Sequence, residues 1–97
     1  MVNFTGSTPK GKLVAQACAK NLVPYVLELG GKSPAVVDKK ADIHVAASRT
    51  LFGKMLNFGQ VCIAPDYVFC HEDRAEYLVD CLKKVLKEEY KDGEPPR

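Results

Sequence analysis

Apolar residues fall into short β-prone runs separated by stretches in which they return with helical period, and turn residues punctuate every boundary. Val2-Asn3-Phe4-Thr5 predicts a first strand that stops at Gly6-Ser7-Thr8-Pro9. Thr8 is the expected N-cap of the following helix, with Pro9 at its first position, where a missing N–H costs nothing. Leu13, Val14, Ala17 and Cys18 keep helical spacing up to Lys20, and Asn21 is the expected stop. After Pro24, Tyr25 to Leu29 predicts a strand closed by Gly30-Gly31. Ala35-Val36-Val37-Asp38, bounded by turns, predicts a buried strand.

Asp42 is placed to cap a helix running to about Phe58 and ended by Gly59. Its stripe of Ala47, Leu51, Met55 and Phe58 is widened by Val45, Ala46, Phe52 and Leu56 almost to the whole circumference, the pattern of a helix buried on most sides. Tyr67-Val68-Phe69-Cys70 predicts a fourth strand. Asp73 with Glu76 resembles a capping box opening a last helix. That helix turns Ala75, Leu78, Leu82, Val85 and Leu86 inward and Arg74, Asp80, Lys83, Lys84, Lys87 and Glu88 to water, and residues 91–97 read as loop. The order β-α-β-β-α-β-α predicts an α/β class with parallel strands. Three helices hardly cover both faces of a four-stranded parallel sheet.

Composition narrows the classes. The chain has 97 residues, 46% hydrophobic and 27% charged, which excludes disorder as a description of the whole. A formal charge of +2 is too small to point to nucleic acid or an anionic membrane. No run approaches the length of a membrane-spanning helix, and Met1 to Lys10 lack the basic and apolar regions of a signal peptide. Cys18, Cys62, Cys70 and Cys81 form no C-x-x-C pair, and His44 and His71 complete no zinc pattern. The expectation is free thiols in a reducing, cytoplasmic compartment.

Three segments are candidates for chemistry. Gly6-Ser7-Thr8-Pro9-Lys10-Gly11-Lys12 lies between a strand and a helix with P-loop spacing, but Leu13 stands where a P-loop places a metal-binding hydroxyl. A plain glycine turn, a dinucleotide-phosphate turn and a P-loop all remain open from these residues. Glu28 ends an apolar strand, where α/β sheets present groups to ligands, and it also reads as an ordinary exposed strand-end glutamate. Cys62 lies between Gly59 and Pro65. The negative end of a helix does not favour a thiolate, so activation must come from elsewhere, and no histidine is an obvious base. Cys18, Cys70 and Cys81 read as packing residues, and both histidines as surface residues.

Taken together, Phe4-Thr5-Gly6-Ser7-Thr8, Leu27-Glu28-Leu29-Gly30-Gly31-Lys32-Ser33-Pro34 and Gly59-Gln60-Val61-Cys62-Ile63-Ala64-Pro65 closely resemble the aldehyde dehydrogenase superfamily. The separation of Glu28 from Cys62 suits it, and Ala64-Pro65-Asp66-Tyr67 is similar to its class 3 and fatty aldehyde branch. The resemblance implies NAD- or NADP-dependent oxidation of a small-molecule aldehyde to the acid. Cys62 would be the nucleophile, its backbone N–H half of an oxyanion hole, and Glu28 the base that activates the hydrolytic water. Gly6, Ser7, Thr8, Pro9, Lys10 and Gly11 would meet the cofactor pyrophosphate, with Leu29 and Gly30 towards the nicotinamide. Residues 1–31 would end the NAD(P)-binding domain and residues 32–97 begin the catalytic domain.

Val61 and Pro9-Lys10 depart from the family's usual residues, the latter where the diphosphate would sit. Family members are several times longer, so the resemblance implies a fragment of a homo-oligomeric parent, cytoplasmic or anchored facing the cytosol through a segment not in these residues. The isolated chain is then expected to be inactive. A truncated docking module and a small P-loop nucleotide binder are the competing readings.

Overall fold

The computed structural model describes residues 1–90. The expected loop at 91–97 lies outside the described residues. Two compact units follow one another, Met1–Gly31 and a second from Lys32 on, each with its own two-stranded parallel sheet.

In the first unit β1 (Val2–Thr5) pairs with β2 (Tyr25–Glu28), Val2 opposite Tyr25 and Thr5 opposite Glu28. Parallel neighbours need a crossover, and α1 (Thr8–Lys20) supplies it. The Val2 N–H donates to the Pro24 carbonyl at 2.9 Å and the Gly6 N–H to the Glu28 carbonyl at 3.1 Å, closing the ladder at both ends. The cap is Ser7, not Thr8. Ser7 keeps extended backbone (φ −76°, ψ 151°), and Thr8 already belongs to the helix. Either hydroxyl residue suits a cap, and the backbone bend decides which one serves.

Asn21 is the C-cap, as expected. Its side-chain amide donates to the Ala17 carbonyl at 2.8 Å, and the Leu22 and Val23 N–H groups reach back to Ala19 and Cys18 at 3.2 and 2.9 Å. Leu22 takes the left-handed conformation (φ 53°) that this closing motif needs, a place usually given to glycine. Cys18 and Gly11 are buried, whereas Leu13, which shares the helical spacing of Cys18, is exposed.

In the second unit β3 (Ser33–Val37) pairs with β4 (Pro65–Cys70), with Ala35 opposite Val68 and Val37 opposite Cys70. Between the strands runs α2 (Ile43–Met55), and α3 (Glu72–Glu89) follows β4. The core is Val37, Ile43, Ala47, Leu78, Cys81 and Val85, with Ala41, Ala46, Leu51, Val68, Cys70 and Leu82 packed around it. Only one sheet face joins it. Val36, Tyr67 and Phe69 point the other way and are exposed, so β3 is half-buried and not the buried strand expected. Tyr67 and Phe69 meet edge-to-face on that outer face, 5.3 Å between ring centroids.

Two helix boundaries and one helix face also differ from expectation. Asp42 does cap α2, its Oδ1 accepting from the Val45 N–H at 3.1 Å. But α2 stops at Met55, and Leu56–Gly59 forms a short 3₁₀ turn in which Asn57, Phe58 and Gly59 have φ of 49°, 55° and 78°. Val45, Phe52, Leu56 and Phe58 are exposed, so the apolar circumference is not buried on most sides. The cap of α3 is His71, whose Nδ1 accepts from the Asp73 N–H at 3.3 Å; Asp73 itself lies in the first turn. Leu86 faces solvent and Tyr90 is buried beyond the end of α3.

Candidate active site

The first unit carries the glycine turn and the glutamate. Ser7 makes no side-chain cap bond, the first turn of α1 holds no acidic residue, and Lys10 and Lys12 lie close by in sequence. The leading amides of this 13-residue helix therefore stay available, with the positive end of its dipole, to an anion. Pro9 contributes no N–H, so the donors come from its neighbours. Gly11 has a different part. A Cβ there would fall 2.7 Å from Leu29 Cδ2 and 3.3 Å from Cδ1, so the missing side chain lets α1 lie directly on the residue after Glu28. The open helix end fits a dinucleotide pyrophosphate. It does not fit a P-loop, because Leu13 offers no hydroxyl.

Glu28 is the last residue of β2, with an exposed side chain, and enters no ion pair among the described residues. Its carbonyl is tied to Gly6, so strand end and glycine turn are fixed to each other. Gly30, two residues on, has open space where a side chain would be.

In the second unit the loop between the 3₁₀ turn and β4 carries Cys62. Asn57 braces its start: the Gln60 N–H donates to the Asn57 carbonyl at 3.1 Å, and the Asn57 side chain returns a bond to the Gln60 carbonyl at 3.2 Å. The chain then makes a tight turn, with the Ala64 N–H donating to the Val61 carbonyl at 3.0 Å and Cys62 second of its four residues. Cys62 is exposed and free, and among the described residues its amide donates to no backbone carbonyl. Thiol and amide are thus both open to a ligand. The Ser33 hydroxyl reaches the Cys62 carbonyl at 3.4 Å, and Lys32 pairs with Asp66 at 2.9 Å. The Lys32 hydrogen bond, helped by the Lys32 and Lys54 charges, holds the Asp66 carboxyl below its ordinary range against a smaller opposing effect of desolvation.

The other thiols are placed differently. Cys18 and Cys81 are buried and Cys70 half-buried. Among the described residues, Cys81 is the cysteine with a histidine beside it, an arrangement not legible from sequence. Its sulfur lies 3.6 and 4.0 Å from the two ring nitrogens of His44. His44 Nε2 is engaged with the Tyr77 hydroxyl at 2.8 Å, and desolvation, then Cys81, raises the Tyr77 pKa. Cys81 is only 3% exposed, so its thiol is a packing group.

The same elements recur in known proteins. The chain is 53% identical over 89 residues to the 4,4'-diaponeurosporen-aldehyde dehydrogenase of Staphylococcus aureus, covering 92% of this chain and 19% of that protein. It is 51% identical over 89 residues to the dimeric NADP-preferring aldehyde dehydrogenase of the rat, again over 92% of this chain and 20% of the relative. A solved structure, the substrate-bound state of S. aureus AldH, superposes with a TM-score of 0.85 at 50% identity, covering 95% of this chain and 20% of that one. The chain thus spans about a fifth of the length of the relatives it matches. With the aldehyde dehydrogenase family model matching residues 1–96, the turn that carries Cys62 and the strand that ends in Glu28 belong to a member of the aldehyde dehydrogenase family.

Proposed function

We propose that this chain supplies the nucleophile, the base and part of the cofactor site of an NAD(P)-dependent aldehyde dehydrogenase, with residues 1–31 ending the cofactor domain and residues 32–97 beginning the catalytic one. The observation that carries the reading is the exposed Cys62 on a hydrogen-bonded turn with its amide unspent. The Cys62 thiolate adds to the aldehyde carbon, and the oxygen that becomes anionic accepts from the Cys62 N–H. NAD or NADP, when bound, supplies the two-electron oxidant that turns the thiohemiacetal into a thioester. Glu28 then takes a proton from water as it attacks the thioester, releasing the carboxylic acid and the thiol. The start of α1 holds the pyrophosphate through its free amides, and Gly11 lets Leu29 lie against that helix, fixing the strand end that carries Glu28. The substrate class is an aldehyde, and the parent works as a homo-oligomer without nucleic acid. Among the described residues no helix is long and apolar enough to cross a membrane.

The test is a chimera in which residues 1–96 replace the matching segment of the S. aureus relative, assayed for aldehyde-dependent reduction of NAD and NADP. The chimera is expected to turn over. Cys62→Ala abolishes turnover, and Glu28→Gln leaves a single-turnover burst with slow release, because the oxidative half needs no hydrolytic base. Steady turnover by the Cys62→Ala chimera would overturn the assignment.

A further inference from the structure

The loop carrying Cys62 is held by a set of charges that the chemistry itself does not require. Asp66, second residue of β4, offers both carboxylate oxygens: Oδ2 lies 2.9 Å from Lys32 Nζ and Oδ1 lies 3.7 Å from Lys54 Nζ. Lys32 directly precedes β3, and its neighbour Ser33 touches the Cys62 carbonyl. Lys54 sits in the last turn of α2, and its chain runs past Gly59, where a Cβ would meet Lys54 Cε at 3.4 Å and Nζ at 3.6 Å. One carboxylate therefore links the segment before β3, the turn before the thiol and the strand after it.

We propose that Asp66 is a positioning residue for the Cys62 thiol, bridging Lys32 and Lys54 so that the Gly59–Pro65 loop is fixed at both ends; this rests on Cys62 being the nucleophile. Exposed ion pairs contribute little to global stability, and Lys32 is largely solvated. What the bridge can do is reduce the freedom of a short loop whose only internal bonds are those at Asn57–Gln60 and Val61–Ala64 among the described residues. The orientation of an attacking group is where small displacements matter most.

The direct readout is exchange of the Ala64 amide, whose bond to Val61 closes the thiol-bearing turn. Asp66→Asn in the 97-residue chain is expected to speed that exchange several-fold while amides of the buried residues Ala47 and Cys81 stay protected. Asp66→Glu restores slow exchange, and high salt brings the wild type towards the Asn variant by screening the bridge. In the chimera, Asp66→Asn lowers kcat about tenfold or more with KM unchanged. Unchanged Ala64 exchange, in whichever of the two proteins shows protected Ala47 and Cys81 amides, overturns the proposal. Exchange needs neither aldehyde nor cofactor, so a chimera without activity that keeps the Asp66 effect faults the catalytic reading alone. An active chimera indifferent to Asp66 faults the bridge alone.

Discussion

Gly59→Ala tests whether the path of the chain into the thiol loop is built as described. Gly59 has φ of 78°, in the left-handed region, and follows two residues already held there. An L side chain in that conformation costs about 1–2 kcal/mol. The added Cβ would also lie 3.3 Å from the Lys54 carbonyl oxygen, a backbone atom at the end of α2 that cannot swing aside as a side chain can. The two effects together place the loss at about 2 kcal/mol, and Gly59→Asn should lose less because Asn tolerates this conformation. For a domain of this size each 1 kcal/mol is about 4–8 °C in Tm, so a drop of roughly 10 °C is expected. Gly30→Ala is the control: open space surrounds that position and its φ is not left-handed, so its Tm should stay within a few degrees. Thermal and urea melts followed by circular dichroism give both values. Equal Tm for Gly59→Ala and Gly30→Ala would refute the left-handed turn.

Three further outcomes are expected. Ile43→Ala, removing a residue 2% exposed at the centre of the second unit's core, should cost about 2–5 kcal/mol in urea unfolding, whereas Val45→Ala on the exposed side of α2 should cost well under 1 kcal/mol. Asp66 titrates below its ordinary 3.8 when folded, so its ion pairs are fully present above that value and are lost as pH falls through the lower folded value; the Ala64 exchange difference between wild type and Asp66→Asn should therefore fade on the acid side of pH 3.8. Substoichiometric iodoacetamide followed by peptide mapping should label Cys62 ahead of Cys18, Cys70 and Cys81 in native buffer and lose that preference in denaturant, whereas equal native labelling would contradict the exposed turn.

The strands and their order were legible because turn residues bound each of them: Gly6, Pro24, Gly30-Gly31 and Pro65 mark ends that the structure keeps to within a residue or two. Helix ends were less so. Leu56 and Phe58 continue the apolar spacing of α2, and periodicity alone runs the helix through them. The backbone turns left-handed at Asn57, and an Asn two residues before a Gly was the one signal of it. His71 caps α3 through a ring nitrogen, a donor–acceptor geometry with no sequence pattern behind it. The candidate site divides in the same way. Cys62 and Glu28 stand out by motif, but the Lys32–Asp66 bridge joins residues 34 positions apart, and only the parallel pairing of β3 with β4 brings their starts together. The His44–Tyr77–Cys81 cluster was hidden for the same reason, since His44 lies on α2 and its two partners on α3, and only tertiary packing brings them together.

As the proposed nucleophile, Cys62 must bond covalently to the substrate. The most direct measurement is mass mapping of the Glu28→Gln chimera, quenched in acid soon after mixing with an aldehyde and NAD or NADP. The peptide containing Cys62 is expected to gain the mass of the acyl group, hydroxylamine to remove it, and omission of the cofactor to prevent it. An acyl group on Cys18, Cys70 or Cys81, or turnover with Cys62 unmodified throughout, would contradict that role.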